Sequence, residues 1–233
     1  MNLPYKSHLA MHYAHFKQTD PRVLKAILQA FPFATISTNA MEIPAVAHAP
    51  LTFREDNANG MVEFHLAKAN SIITHLQNGT KLTIIINGPS AHISPSWYTA
   101  RFSGNNPDRS NAAPTYNYIN ANLFGSVQML DDIELTAQIK ELVAANEPAD
   151  GWKLEEIDHD IFNKWRNMII GFRMPIESFD LTAKLSQEQN PVDKPGIIEG
   201  LRQRGKNSDI AMARIIERFD GTPESLIRAL QTA

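Results

Sequence analysis

The chain contains no cysteine. That absence excludes a disulfide scaffold, a thiolate metal site, an iron–sulfur cluster and a cysteine nucleophile. Long apolar runs are missing too. The longest, Leu82–Ile86, is broken by Thr83, far short of the roughly 18–20 apolar residues of a membrane helix. Residues 1–16 carry Pro4, Lys6, His8, His12 and His15 in place of an apolar stretch. They do not read as a signal peptide, and the expected location is the cytoplasm, with no membrane partner. Nor is there an excess of positive charge: 22 basic against 25 acidic residues give −3. Binding nucleic acid or an anionic membrane over the whole surface would call for a basic balance; a local basic patch stays open. GxGxxG, GxxxxGK[ST], HExxH and GxSxG are all absent. His8, His12 and His15 have helical spacing but no acidic partner, so they read as a solvated segment and no metal site is expected.

What is present is a soluble, globular composition: 233 residues, 43% apolar, 8% aromatic. Thr19-Asp20-Pro21 starts a helix whose apolar face is Val23, Leu24, Ile27, Leu28 and Phe31. Residues 33–38, 43–53, 61–66 and 81–87 read as strands. Gly88-Pro89 reads as a turn, and residues 91–96 as a further strand. Residues 101–113 form a polar loop, residues 115–130 resume extended structure, and a helix follows over 133–145 with Leu135, Ile139, Leu142 and Val143 inward. A second helix covers about 158–167, and residues 169–181 read as the last strand. The remainder from about 190 is helical, with breaks at Lys206-Asn207 and Gly221. Six or seven strands, few separated by a long helix, predict an α+β fold: an antiparallel sheet closed into a barrel with helices outside. The expected division is a barrel domain over 1–186 and a helical C-terminal extension over 187–233 packed on it.

Two clusters carry chemistry. The first is His65-Leu-Ala-Lys68-Ala-Asn70-Ser71, where a strand passes into a helix. Free N–H groups at a helix start, with Lys68 and the donors His65, Asn70 and Ser71, suit a phosphate. The plainer reading makes Asn70 a cap and Lys68 a solvated lysine. The second gathers Ser94, Ser96, Trp97, Tyr98, Thr115, Tyr116 and Asn117 around turns and strand ends. Flat aromatics with hydroxyl and amide groups suit a planar heteroaromatic ligand; a locally satisfied aromatic corner is the alternative.

In order along the chain, FPFATIST, HLAKAN, NGPSAHISPSWY, PTYNY, KLSQ at 184–187 and Gly-Ile-Ile-Glu-Gly-Leu201 resemble the PaiB-type family of FMN-binding negative transcriptional regulators, over about residues 12–218. The pair SPSWY and P-T-aromatic-N-Y is the specific part. Two departures stand out: the family's G-P-H-A-Y is here Gly88-Pro-Ser90-Ala-His92, and its P-T-W-N-Y carries Tyr116. The resemblance implies a flavin-type split β-barrel and a homodimer with FMN at the subunit interface. It implies that His65, Lys68 and Asn70 face the FMN phosphate. Ser94, Ser96 and Trp97 would lie beside the ring or ribityl chain, Thr115, Tyr116 and Asn117 would contribute from the second segment, and His48 would line the same pocket.

The regulator function belongs to the resemblance. No helix-turn-helix stands out, and the most basic stretch, Lys194–Arg218, is also an ordinary solvated helical face. The alternative on the same barrel is an FMN-dependent oxidoreductase, a flavin reductase or a haem-handling relative. There the cofactor supplies the redox step and His48, His65 or His92 moves a proton. A third reading leaves the pocket vestigial and gives the work to protein partners.

Overall fold

A computed structural model of the chain describes residues 14–55, 59–99 and 112–231. The expected loop over 101–113 lies mostly outside them, as do His8 and His12.

Local chemistry explains most boundaries. Helix α1 (Pro21–Ala30) starts where Asp20 Oδ1 accepts the Arg22 N–H at 2.8 Å, so Asp20 is the cap, and it stops before Pro32. Its Val23, Leu24, Ile27 and Leu28 are buried. Helix α2 (Asp132–Asn146) begins in a capping box: Asp131 Oδ1 accepts from Ile133 and Glu134, while Glu134 Oε2 accepts from the Asp131 N–H. Its inward residues are Leu135 and Gln138; Ile139, Leu142 and Val143 are half-buried. Helix α3 spans His159–Arg166. After it come α4 (Lys194–Arg204), α5 (Asn207–Arg218) and α6 (Pro223–Leu230), the last started by Thr222-Pro223.

The strands are β1 (Lys17–Gln18), β2 (Phe33–Thr38), β3 (Ala45–Pro50), β4 (Thr52–Arg54), β5 (Met61–Ala67), β6 (Lys81–Ile93), β7 (Thr115–Ser126), β8 (Gln128–Met129), β9 (Ile169–Pro175) and β10 (Ser178–Lys184). Several expectations are corrected, among them the single strand over 43–53, which is the two strands β3 and β4. Gly88-Pro89 is no turn, and β6 runs through it. Pro89 offers no N–H, but Ser208 of α5 serves the next residue from the side: its hydroxyl accepts the Ser90 N–H at 3.1 Å and donates to the Ser90 carbonyl. Residues 169–181 are not one strand. The break falls at Ile176-Glu177, whose N–H groups leave for the carbonyls of Gly60 and Phe124. The stretch 70–76 is a five-residue 3-10 turn, Ser71–His75, and Ser96 belongs to another, Pro95–Trp97.

The chain forms two compact units. The first gathers residues 1–30, 87–121 and 180–233; the second gathers 31–86 and 122–179. Within the first, the strand order is β1–β10–β7–β6, with β1 antiparallel to β10. Helix α1 packs on α6, and α4 packs on α5 and on the Pro95–Trp97 turn. Within the second, β2 pairs antiparallel with β3 and β6, and a four-stranded sheet runs β4–β5–β9–β8. Phe64 and Phe172, opposite each other on β5 and β9, stack at 5.4 Å and are fully buried. Gly125 of β7 has no room for a side chain, because a Cβ there would stand 2.2 Å from the Pro175 carbonyl oxygen.

Candidate functional site

The sequence-selected residues fall into two groups, one in each unit. In the second unit, His65 sits half-buried on β5 at the head of a directional chain. The Glu63 carbonyl can only accept, so the Thr52 hydroxyl donates to it at 3.3 Å. The Thr52 oxygen then takes the Gln138 Nε2–H at 3.5 Å. The buried Gln138 Oε1 therefore faces His65 Nδ1, at 2.8 Å, and can only accept. The proton of neutral His65 is thus held on Nδ1, and Nε2 is left as an acceptor.

Lys68 is exposed, and its backbone N–H donates to the Met168 carbonyl at 2.8 Å. Asn70 Oδ1 accepts from the Ile72 N–H at 3.2 Å, so its side chain is a cap. The helix start pictured from the sequence is therefore a short 3-10 turn with its cap in place, and the cationic Lys68 side chain is what this segment offers an anion. His48, on β3, is exposed. Its Nδ1 is 3.2 Å from the Thr35 hydroxyl, and its ring stacks on Phe33 at 6.3 Å. β3 lies against both β5 and the Ser71–His75 turn.

In the first unit, Ser94 starts the Pro95–Trp97 turn. Its oxygen accepts the Ser96 N–H at 3.2 Å, and its hydroxyl is 3.0 Å from that of Ser96. The Trp97 ring lies against Gly200 of α4, and the Arg204 guanidinium is 5.0 Å from its centre. Arg204 grips the buried Asp209 with two donors, at 2.6 and 2.8 Å, and donates to the His92 carbonyl at 2.8 Å. The His92 ring meets Tyr116 edge-on at 5.7 Å. Trp97, Arg204, His92 and the exposed Tyr116 are thus one connected cluster.

On the other face of β7, two of the quoted sequence segments meet pairwise. Lys184 Nζ donates to the Thr115 hydroxyl at 2.6 Å, and Asn117 Nδ2 donates to the Ser186 hydroxyl at 2.7 Å. Ser186 has φ +61°, a left-handed conformation unusual for a residue with a side chain. Asn117 is fully buried, yet its Oδ1 has no partner among the described residues.

Hydrogen bonds from Arg204 hold the Asp209 carboxyl below the usual range, against the opposing effect of its burial. A depressed carboxylate adds stability above its unfolded value, near 3.8, and loses it as pH falls through the folded value. Wild type should therefore lose more stability than Asp209→Asn between about pH 5 and pH 2. Urea titrations at both pH values measure this, and equal losses would show the pair to be uncoupled from folding.

Sequence reasoning does not assign Arg204, Lys184, Ser186 or Gln138 to the site. KLSQ is one of the segments the sequence singles out, and the alternation of β7 points Thr115 and Asn117 to one partner strand. Nothing local marks the others.

Residues 11–178 match the family model described as "Putative FMN-binding domain". Among curated proteins, the chain is 26% identical over 205 residues to the protease synthase and sporulation protein PAI 2 of Bacillus subtilis, covering 87% of this chain and 94% of that one. It is 26% identical over 202 residues to an uncharacterized protein of Emericella nidulans, covering 75% and 79%. Among solved structures, the flavocytochrome Anf3 from Azotobacter vinelandii superposes with TM-score 0.55 at 16% identity, over 73% of this chain and 70% of that one. The fold is the antiparallel split barrel with helices that the sequence predicts.

Proposed function

The chain belongs to the FMN-binding domain family, and from that premise we propose that it binds flavin mononucleotide as a homodimer and acts as a PaiB-type negative regulator of transcription in the cytoplasm. The observation that carries the reading is Asn117. A buried acceptor left unpaired costs about 1–3 kcal/mol, and an N–H donor such as that on a flavin ring removes the penalty. Each unit also offers groups suited to a flavin: in the first, the flat surfaces of Trp97 and Tyr116 and the hydroxyls of Ser94, Ser96 and Thr115; in the second, the exposed Lys68 cation for a phosphate, with His65, Asn70 and His48. When bound, the flavin supplies reversible electron transfer; the chain's own residues bind and orient it.

The homodimer is supported by exposed apolar side chains along the free edge strand β3 and beside it: Phe33 (65% exposed), Met41, Ile43 and Val46. Among the described residues, no helix is long and apolar enough to cross a membrane. The division into a barrel over 1–186 and a helical extension over 187–233 remains part of this reading.

Titration of the purified protein with FMN, followed by fluorescence quenching, should saturate at one FMN per subunit. Lys68→Ala should weaken binding by about 1–3 kcal/mol; unchanged affinity would move the phosphate elsewhere. Contact with DNA falls to few residues. Of the cations in 194–218, Lys194 donates to the Phe219 carbonyl, Arg202 pairs with Glu217 and Arg204 with Asp209. Lys206, Arg214 and Arg218 stay exposed. Three phosphate contacts give a log–log salt slope of about −3 in a mobility-shift assay, and no shift at low salt removes direct DNA binding.

The FMN-dependent oxidoreductase is the second reading. It is favoured by His92, half-buried between Arg204 and Tyr116, where it could pass a proton. Anaerobic NADH or NADPH would then bleach bound FMN; persistent oxidised flavin counts against it.

A further inference from the structure

Arg166 closes α3 with its Nε–H buried and without an acceptor among the described residues. Two residues later, the Met168 carbonyl takes the Lys68 N–H. β9 then runs back along β5, with Ile169 opposite Ala67 and Gly171 opposite His65. Arg166 is therefore joined through a short stretch of chain to the end of the β5–β9 ladder that carries Lys68.

Its ion pair is unlike those of the arginines that grip buried carboxylates. Arg54 and Arg173 each hold Glu63 at 2.6 Å, and Arg204 holds Asp209 at 2.6 Å. Arg166 is only 20% exposed, yet its partner is Asp132, at 3.3 Å and 77% exposed. A carboxylate so open to water is a weak, screened partner. What remains is a largely buried guanidinium with an uncommitted donor, and a guanidinium's planar donor set matches two oxygens of one oxyanion.

We infer that Arg166 is an oxyanion anchor that, with Lys68, binds the phosphate monoester end of the ligand. The inference rests on the FMN reading for the rest of that ligand. It needs no helix dipole from the Ser71–His75 turn. Asp132 acts as a placeholder that holds the side chain when no phosphate is present.

Comparing FMN with riboflavin, which has the same ring and no phosphate, isolates the claim. Arg166→Gln should weaken FMN binding about tenfold or more and leave riboflavin affinity unchanged. Arg166→Lys, which keeps the charge and loses the fork, should recover part of the loss. If Arg166→Gln leaves FMN affinity within about twofold of wild type, or lowers both flavins equally, Arg166 is not the anchor. If wild type binds neither flavin, the FMN reading fails, and inorganic phosphate becomes the probe in a thermal-shift titration. Saturable stabilisation lost in Arg166→Gln would then keep the oxyanion site, and none in wild type would overturn it.

Discussion

Glu63→Ala should destabilise the second unit by about 3–5 kcal/mol, the cost of breaking a buried ion pair and leaving its partners unmatched. Glu63 is fully buried, and both of its oxygens are used. Oε2 accepts from Arg54 Nε at 2.6 Å, and Oε1 accepts from Arg173 Nε at 2.7 Å. The outer ends of the arginines reach Glu141 and Glu134, at 2.8 and 3.0 Å. Five charges alternate in sign across β4, β5, β9 and α2. Burial pulls the Arg54 and Arg173 guanidiniums down, but the hydrogen bonds and charge of Glu63 outweigh it and hold both above their ordinary value. Removing that carboxylate leaves two half-buried cations facing each other. Urea denaturation followed by circular dichroism measures the loss. Replacing all three by apolar residues of similar volume should recover most of it, since the ion pairs mainly offset their own desolvation. A loss below about 1 kcal/mol would mean that the network behaves like a surface pair.

Gly200→Val should cost about 1–3 kcal/mol through overpacking and should shift Trp97. A Cβ at Gly200 would stand 2.3 Å from the Trp97 ring, and one at Gly196 would stand 2.2 Å from the Trp97 carbonyl oxygen. The two glycines are one turn apart, so a single bare face of α4 receives both the ring and the backbone of the turn. Arg204, one further turn along, closes over the same ring. In the variant the Trp97 emission should change and FMN quenching should weaken, while His65 and Gln138 in the second unit stay as they are. Unchanged tryptophan emission with unchanged stability would show that α4 can lift away freely.

Features set by neighbours in sequence were legible. The caps at Asp20-Pro21 and Thr222-Pro223, and the β-branched alternation of residues 81–87, depend on a few adjacent side chains. Features set by distant partners were not. The Gly88-Pro89 segment stays extended because Ser208, more than a hundred residues away, meets Ser90 on both its N–H and its carbonyl. The break at Ile176-Glu177 depends on carbonyls from Gly60 and Phe124. Gln138 lies outside the inward set Leu135, Ile139, Leu142 and Val143 expected for its helix, and it is buried with both ends of its amide matched, by Thr52 and by His65. In the candidate site, His65, Trp97 and Asn117 drew attention by residue type and by resemblance. Arg204 lies on a helix remote in sequence from the Trp97 and His92 segments that it meets, and a lone arginine carries no pattern of its own.

The interleaving of the two units has a consequence for how the chain is made. Helix α1 is finished by residue 30, but its packing partner α6 begins at residue 223. At a synthesis rate of about 5–20 residues per second, those intervening residues take roughly 10–40 s to emerge. Throughout that time Val23, Leu24, Ile27 and Leu28 have no α6 to cover them. Until α6 emerges, the ribosome-bound chain should therefore carry an α1 whose packing is incomplete. A stop codon anywhere before residue 223 leaves the same surface open in every molecule made, so truncated products should be cleared rather than accumulate as a smaller folded form.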